Sequence, residues 1–146
     1  MDKRRCGTYL GFDFGVRKIG VAVGQRLTGT ASPLETIRSE KKTVRWQAID
    51  RLVETWRPDG MVVGIARQVD GRDNPATPLM RKFCRRLEAR YRLPVHPVDE
   101  HLTTFESYRL LFDDLQLRPE KVREVNDQLA AQLILQTWLN LQEDAP

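Results

Sequence analysis

Cysteine and histidine are scarce in this chain of 146 residues, which contains two of each. Cys6 and Cys84 lie far apart, so they exclude a four-cysteine zinc site and provide no disulfide framework. His96 and His101 do not complete a mixed Cys/His site, because the two cysteines of such a site are normally about two to four residues apart. The number and spacing of these residues therefore argue against the common zinc-binding modules.

Long hydrophobic runs are also missing. No apolar stretch approaches the roughly 18 residues that a membrane-spanning helix needs. The N-terminus begins with basic residues, but no apolar segment follows them, so it does not resemble a signal peptide. We therefore predict a cytoplasmic protein with no membrane partner.

The size and the charge of the chain set broad limits on its function. A length of 146 residues fits one domain, residues 1–146, with a sizeable core. Twenty-four Lys and Arg residues against 20 Asp and Glu residues give a net charge of +4. This balance is compatible with a polyanionic partner such as nucleic acid, but it does not establish one.

Asp13 lies in an alternating apolar segment, Tyr-Leu-Gly-Phe-Asp-Phe-Gly. Period two places Leu10 and Phe12 on one face of a strand, and Gly11 and Asp13 on the other. A carboxylate in such surroundings is costly to bury unless a cation meets it. Residues 19–24 alternate bulky and small side chains in the same way. Small residues on two neighbouring strands predict room for a metal ion or a ligand beside Asp13; capping of the following turn is the alternative.

The periodicity along the chain predicts a mixed α/β sheet. Three strands come first, at 9–15, 19–24 and 28–37. We then expect a helix at 43–56, a strand at 60–65, a polar loop at 66–78, a helix that ends near 91, a strand at 94–98, a short helix at 105–111, a loop at 113–126 and a helix at 126–141. This order predicts five strands in the order 3-2-1-4-5, with strands 1–3 as an antiparallel meander and helices on both faces. In such a sheet, the chemistry is expected at the strand ends.

Three acidic residues stand out by their positions. Asp13 ends the first strand, Glu100 follows the fifth, and Asp127 opens the last helix at helical spacing from Ala131. A helix cap is the alternative role for Asp127. Three carboxylates in one cleft would raise each other's pKa unless divalent cations bind. Hard oxygen ligands select Mg²⁺ or Mn²⁺, and two such ions about 4 Å apart support phosphodiester hydrolysis, so we predict a two-metal hydrolase.

Four motifs cover nearly the whole chain in a fixed order. They are Gly-Phe-Asp-Phe-Gly-Val-Arg-Lys-Ile-Gly-Val-Ala-Val-Gly at 11–24, Val-Val-Gly at 62–64, Asp-Glu-His-Leu-Thr-Thr-Phe-Glu-Ser at 99–107 and Asn-Asp-Gln-Leu-Ala-Ala at 126–131. This series resembles the motifs of the YqgF family, also called RuvX, which are small bacterial proteins with the RNase H-like fold. The resemblance implies that the family's catalytic and metal-binding triad corresponds to Asp13, Glu100 and Asp127.

The same resemblance implies a substrate. It points to a nuclease that processes the 5′ end of precursor 16S rRNA, and so favours RNA over DNA and the pre-ribosome as a partner. An older label for the family, Holliday junction resolvase, keeps a DNA endonuclease as the alternative. No segment indicates a dimer interface, so both a monomer and a homodimer stay open.

The chain departs from the family pattern at two places. Gly64-Ile65-Ala66 stands where the family has Gly-Leu-Pro, and His101 replaces the usual Arg after Asp-Glu. The second change turns a permanently charged group into a ring that is mostly neutral at pH 7. A phosphate-binding role at this position is therefore weakened, while the triad is unaffected.

Basic residues near the predicted site are candidate substrate contacts. Arg17 and Lys18 lie between the first two strands, and Arg67 and Arg72 lie in the 66–78 loop. Together with His101, they are the predicted substrate-binding residues, because cationic side chains hold phosphates. Solvated surface charge is the alternative for each of them.

Two hypotheses from other classes compete with the nuclease. Asp13-Phe14-Gly15 before a second strand also begins the phosphate-binding hairpin of actin-like sugar kinases. Those enzymes need a second lobe and a second hairpin, for which 146 residues leave no room. A non-catalytic RNA- or protein-binding module is the other hypothesis, and the presence of all three acids argues against it.

Overall fold

The computed structural model describes residues 7–65, 72, 75–99 and 119–143, with side chains in the last range from 128 to 142. Within these residues the chain forms five strands and three helices. In chain order they are β1 (Thr8–Phe14), β2 (Lys18–Gln25), β3 (Thr30–Arg38), α1 (Lys42–Trp56), β4 (Gly60–Ile65), α2 (Thr77–Tyr91), β5 (Val95–Asp99) and α3 (Pro119–Glu143).

The five strands form one mixed sheet in the order β3-β2-β1-β4-β5, which confirms the predicted order. β1 pairs with β2, and β2 with β3, in antiparallel fashion, as the predicted meander requires. β4 is parallel to β1, and β5 is parallel to β4. The carboxyl ends of β1, β4 and β5 therefore lie along the same edge of the sheet.

Each face of the sheet has its own hydrophobic core. Leu10 and Phe12 belong to the core that α1 and α2 cover, while Tyr9 belongs to the core that α3 covers. Phe12 packs edge-on against Phe83 of α2, with ring centroids 5.7 Å apart, and Tyr9 lies 4.6 Å from Trp138 of α3. Helices on both faces, as predicted, bury the two sides of the alternating strands.

Small residues on β1 and β2 let α3 approach the sheet closely. A Cβ atom at Gly11 would lie 2.7 Å from the Cβ of Leu135, and one at Gly24 would lie 3.1 Å from side-chain atoms of Leu135 and Leu139. The predicted room for a ligand is therefore wrong at these two glycines, because the helix fills the space. Small side chains suit a close-packed helix as well as a ligand, and the sequence pattern does not separate the two.

The last helix is longer than its apolar pattern indicates. α3 begins at Pro119, so the predicted loop is wrong for residues 119–126, which are helical. Proline is well suited to the first position of a helix, and the charged residues that follow Pro119 include good helix formers. Residues 113–118, and the predicted helix at 105–111, lie outside the described residues.

Left-handed residues end α1 and α2. Arg57 has φ of 46° and its N–H donates to the carbonyl of Val53, while Arg92 has φ of 54° and its N–H donates to the carbonyl of Glu88. These contacts satisfy carbonyl groups in the last turn of each helix. No helix within the described ranges is both long and apolar enough to cross a membrane.

A charged cluster links α1 to the end of α2. The guanidinium of Arg90 donates to both carboxylate oxygens of Asp50, at 2.9 and 2.7 Å, and the Tyr91 hydroxyl donates to the same carboxylate. Arg90 also lies over the ring of Trp46, 5.3 Å from its centroid. The hydrogen bond from Arg90 lowers the pKa of Asp50, so the cluster keeps its carboxylate ionised.

Candidate catalytic edge of the sheet

Asp13 is half-buried near the carboxyl end of β1 and pairs across the sheet with Gly20 of β2. Side chains two residues apart on a strand share a face. Gly11 contacts α3, so Asp13 lies on the face of the sheet that α3 covers. The neighbouring Phe14 packs in the opposite core, under α1 and α2.

The parallel strands β4 and β5 end at the same edge of the sheet as β1. Phe12 of β1 aligns with Val63 of β4, and Ile65 of β4 aligns with Asp99, the last residue of β5. Glu100, the next residue, lies outside the described residues. The strand that leads to Glu100 thus ends at the edge where Asp13 is found.

Helix α3 runs antiparallel to β1 across this face. Trp138 contacts Tyr9 near the start of β1, whereas Leu135 and Ala131 approach Gly11 in its middle. Moving toward the carboxyl end of β1 therefore means moving toward the N-terminus of α3. The backbone of α3 includes residue 127, but the side chain of Asp127 lies outside the described part of the chain.

The turn between β1 and β2 is tight and exposed. A Cβ at Gly15 would lie 2.7 Å from the carbonyl oxygen of Lys18, so the turn needs a glycine there. Arg17 is exposed in this turn, with its guanidinium 3.6 Å from the Glu40 carboxylate. An exposed pair at this distance contributes little to stability. Arg17 and Lys18 are both exposed, four and five residues after Asp13 in the chain.

Of the other predicted substrate contacts, Arg72 lies among the described residues and is exposed. Arg67 and His101 lie outside the described residues. Among the side chains that the structure describes, Asp13 is the one member of the predicted triad, and these side chains include no group of three or more that could hold a metal.

Arg45 of α1 supports the turn after Asp13, and the sequence reasoning missed it. Its side chain is buried, with 8% exposed, and its guanidinium donates to the carbonyl of Val16 at 3.0 Å and to that of Gly15. The guanidinium also lies over the ring of Phe14, 5.1 Å from the centroid. Burial lowers the pKa of Arg45. This side chain fixes the backbone just beyond Asp13 from the opposite face of the sheet.

The signal that indicates Arg45 is its spacing along α1. Arg45, Ile49 and Leu52 lie on one helical stripe, and all three are buried. An arginine in a buried stripe needs polar partners, because burying an unpaired charge is costly. The partners are backbone carbonyls of a distant turn, and no sequence pattern marks those.

Comparison with known proteins identifies the family. Residues 7–141 match the model of RuvX, described as Holliday junction resolvase. The chain belongs to the RuvX family. A relative from Methylococcus capsulatus, named "Putative pre-16S rRNA nuclease", is 51% identical over 142 residues, which cover 97% of this chain and 94% of the relative. A relative from Legionella pneumophila with the same name is 44% identical over 137 residues, covering 94% and 98%.

Two of the solved structures similar to this chain are RuvC and a Holliday junction resolvase. Thermus thermophilus RuvC in complex with a Holliday junction superposes with a TM-score of 0.58 at 16% identity, covering 94% of this chain and 96% of RuvC. The yeast mitochondrial Holliday junction resolvase gives 0.56 at 12% identity, covering 92% and 78%. These similarities confirm the predicted RNase H-like fold.

Proposed function

We propose that this RuvX protein is a nuclease that hydrolyses phosphodiester bonds in precursor 16S rRNA, near the 5′ end of the mature sequence. The observation that carries the proposal is the position of Asp13, half-buried at the edge where three parallel strands end. The names of two relatives, at 51% and 44% identity, support RNA as the substrate. Family membership favours a nuclease over the actin-like phosphotransferase.

Asp13, Glu100 and Asp127 form the proposed catalytic triad. Val98 belongs to the core under α3, so β5 presents a side chain to the face of Asp13 two residues before Glu100 in the chain. Two residues of β1 span about 6.6 Å, which corresponds to roughly four residues of a helix. Because Leu135 and the Ala131 carbonyl both lie at Gly11, the part of α3 at the level of Asp13 lies about one turn nearer the N-terminus, in the direction of residue 127. Chain geometry thus supports convergence of the three carboxylates.

Mg²⁺ or Mn²⁺ is the proposed cofactor of this site. Carboxylate oxygens are the ligands that these hard cations prefer, and the half-buried carboxylate of Asp13 fits that role. Divalent ions held by these carboxylates would supply activation of a water and stabilisation of the leaving oxygen. The residues of this chain hold the ions and the substrate, and Arg45 fixes the turn beside Asp13.

Basic residues around the edge are the proposed substrate contacts. Arg17 and Lys18 extend the site along the β1–β2 turn, where exposed cationic groups can meet phosphates. Arg67, Arg72 and His101 are proposed contacts from the loops after β4 and β5. We also propose that the protein acts in the cytoplasm on the pre-ribosome, as a monomer or a homodimer.

A cleavage assay with two substrates tests the proposal. Purified protein with Mg²⁺ or Mn²⁺ receives either a labelled 16S precursor leader RNA or a four-way DNA junction. We expect cleavage of the RNA, and its loss by at least about 100-fold in Asp13→Asn, Glu100→Gln and Asp127→Asn, because even residues that only orient a metal ligand contribute 10- to 100-fold. Glu54→Gln, an exposed change on α1, is the matched control and keeps full activity.

Two results would overturn parts of this proposal. Cleavage of the junction alone would favour the DNA endonuclease, which the family description and the fold of RuvC also suggest. Full RNA cleavage by Asp13→Asn would remove this carboxylate from the site.

A further inference from the structure

A cavity of about 120 Å³ opens between the first turns of α1 and α2, on the face opposite α3. Its inner wall is aromatic and includes Phe14, Trp46 and Phe83. The rings of Phe14 and Phe83 have centroids 4.8 Å apart, and those of Trp46 and Phe83 lie 5.7 Å apart. An apolar cavity of about 150 Å³ accommodates benzene, and this groove is somewhat smaller but opens to the surface, so its size is that of a single ring.

The rim of the groove is cationic. Lys42, Lys82 and Arg86 are exposed around its opening, and the buried Arg45 also lines it. Arg45 directs two nitrogens to turn carbonyls, whereas its Nε makes no hydrogen bond among the described residues. Within the part of the chain that the structure describes, no acidic side chain lines the groove. An aromatic wall under a cationic rim is suited to a flat ring that carries a phosphate.

The groove and the candidate catalytic edge share one strand end. Asp13 and Phe14 are consecutive residues of β1, so their side chains lie on opposite faces of the sheet. Phe14 forms part of the groove wall, and Arg45 contacts the turn between the two sites. The groove and Asp13 therefore lie on opposite sides of the same strand end.

We propose that the groove between α1 and α2 binds an unpaired nucleobase of the RNA substrate, with the neighbouring phosphate on Lys82 and Arg86. This inference rests on the proposed nuclease function for the identity of the substrate. Aromatic rings and guanidinium planes both hold unstacked bases of single-stranded RNA. The groove thereby selects single-stranded RNA beside the cleaved bond, because a paired base is not available to enter it.

Equilibrium binding measurements distinguish RNA binding in the groove from general electrostatic attraction to the basic surface. Fluorescence anisotropy is measured with a labelled single-stranded leader RNA and with the same sequence as a duplex, on protein that carries Asp13→Asn to stop cleavage. Lys82→Ala with Arg86→Ala is compared with Arg51→Ala with Arg85→Ala, which removes the same charge from exposed positions outside the groove. We expect the groove pair to weaken single-strand binding about tenfold more than the control pair, and duplex binding to change equally in both.

A steric variant tests the cavity without changing charge. Leu79 is 45% exposed at the groove, and Val44 is 44% exposed on α1 outside it. We expect Leu79→Trp to weaken single-strand binding several-fold and Val44→Trp to leave it unchanged. Circular dichroism confirms that both variants fold.

The outcomes distinguish this proposal from the proposed function. Selective loss of single-strand binding in the groove variants, with no RNA cleavage by the unmodified protein, would support the groove and overturn the nuclease. Equal losses in the groove and control pairs, or full binding by Leu79→Trp, would overturn the groove. A shift in the monomer–dimer equilibrium of Leu79→Trp, with RNA affinity unchanged, would instead assign the groove to a second copy of the chain and also overturn the proposal.

Discussion

The two faces of the sheet are closed in different ways. Under α1 and α2, large aromatic rings fill the space, and the Asp50–Arg90 pair joins the helices at the outer surface. Under α3, glycine and alanine let the helix backbone approach the strands, with the Ala131 carbonyl 3.1 Å from a Cβ placed at Gly11. The first face depends on the volume and charge of its side chains, and the second on small residues beneath the helix. Loss of a large side chain should therefore destabilise the first face, and addition of side-chain atoms at a glycine should destabilise the second.

Removal of Arg45 from the aromatic face should have the largest effect on stability. Arg45→Met keeps much of the side-chain volume but leaves the carbonyls of Gly15 and Val16 without their donor. We expect a loss of about 1.5–3 kcal/mol in the free energy of unfolding, since hydrogen bonds from charged groups contribute about that much. Urea denaturation measures it. RNA cleavage should also fall at saturating substrate, because the turn beside Asp13 is no longer fixed.

Arg51→Met is the matched control for this change. Arg51 is exposed on the same helix, so the same substitution should change neither stability nor cleavage. Equal stability of Arg45→Met and Arg51→Met would show that the turn does not depend on its guanidinium contacts.

Addition of one methyl group should destabilise the α3 face. In Gly11→Ala, the new Cβ would lie 2.7 Å from the Cβ of Leu135, so the helix must move away from the sheet. Overpacking of this kind typically costs about 1–3 kcal/mol in the free energy of unfolding. Thermal or urea unfolding measures it, with Ser32→Ala at an exposed position of β3 as the control. Unchanged stability would mean that α3 is packed loosely and that its position does not set the level of residue 127.

The strand order was predictable because the signals for it are local. Alternation in β1 and β2, short turns and an apolar run in β4 define five strands, and the connections then limit their order. Asp13 was found because a carboxylate contradicts the apolar alternation around it. The start of α3 was missed, since Val122 and Val125 are the only residues before Asn126 that continue its apolar spacing, and charged residues surround them.

Contacts between distant segments could not be predicted in the same way. Arg45 meets the backbone of a turn about 30 residues away, and backbone carbonyls have no sequence signature. Likewise, the sequence at Gly11 and Gly24 is equally compatible with a ligand site and with a helix contact. The partner of each of these residues is decided by how distant elements pack together, which is a property of the assembled fold.

Protonation of His96 should make the stability of the α3 face depend on pH, and this is the smallest of the expected effects. His96 stacks on Trp138 of α3, with ring centroids 4.8 Å apart, and burial lowers its pKa. The unfolded chain therefore binds this proton more readily than the folded one, with a pKa near 6.5. The neutral His96 ring therefore contributes its full stabilisation above the unfolded pKa of about 6.5, and this stabilisation is lost as the pH falls through the lower pKa of the folded state.

We expect His96→Phe, which keeps a ring against Trp138, to lose less stability than the unmodified protein between pH 7 and pH 5, as measured by urea unfolding at each pH. Identical pH profiles would show that the ring accepts its proton without leaving the α3 core.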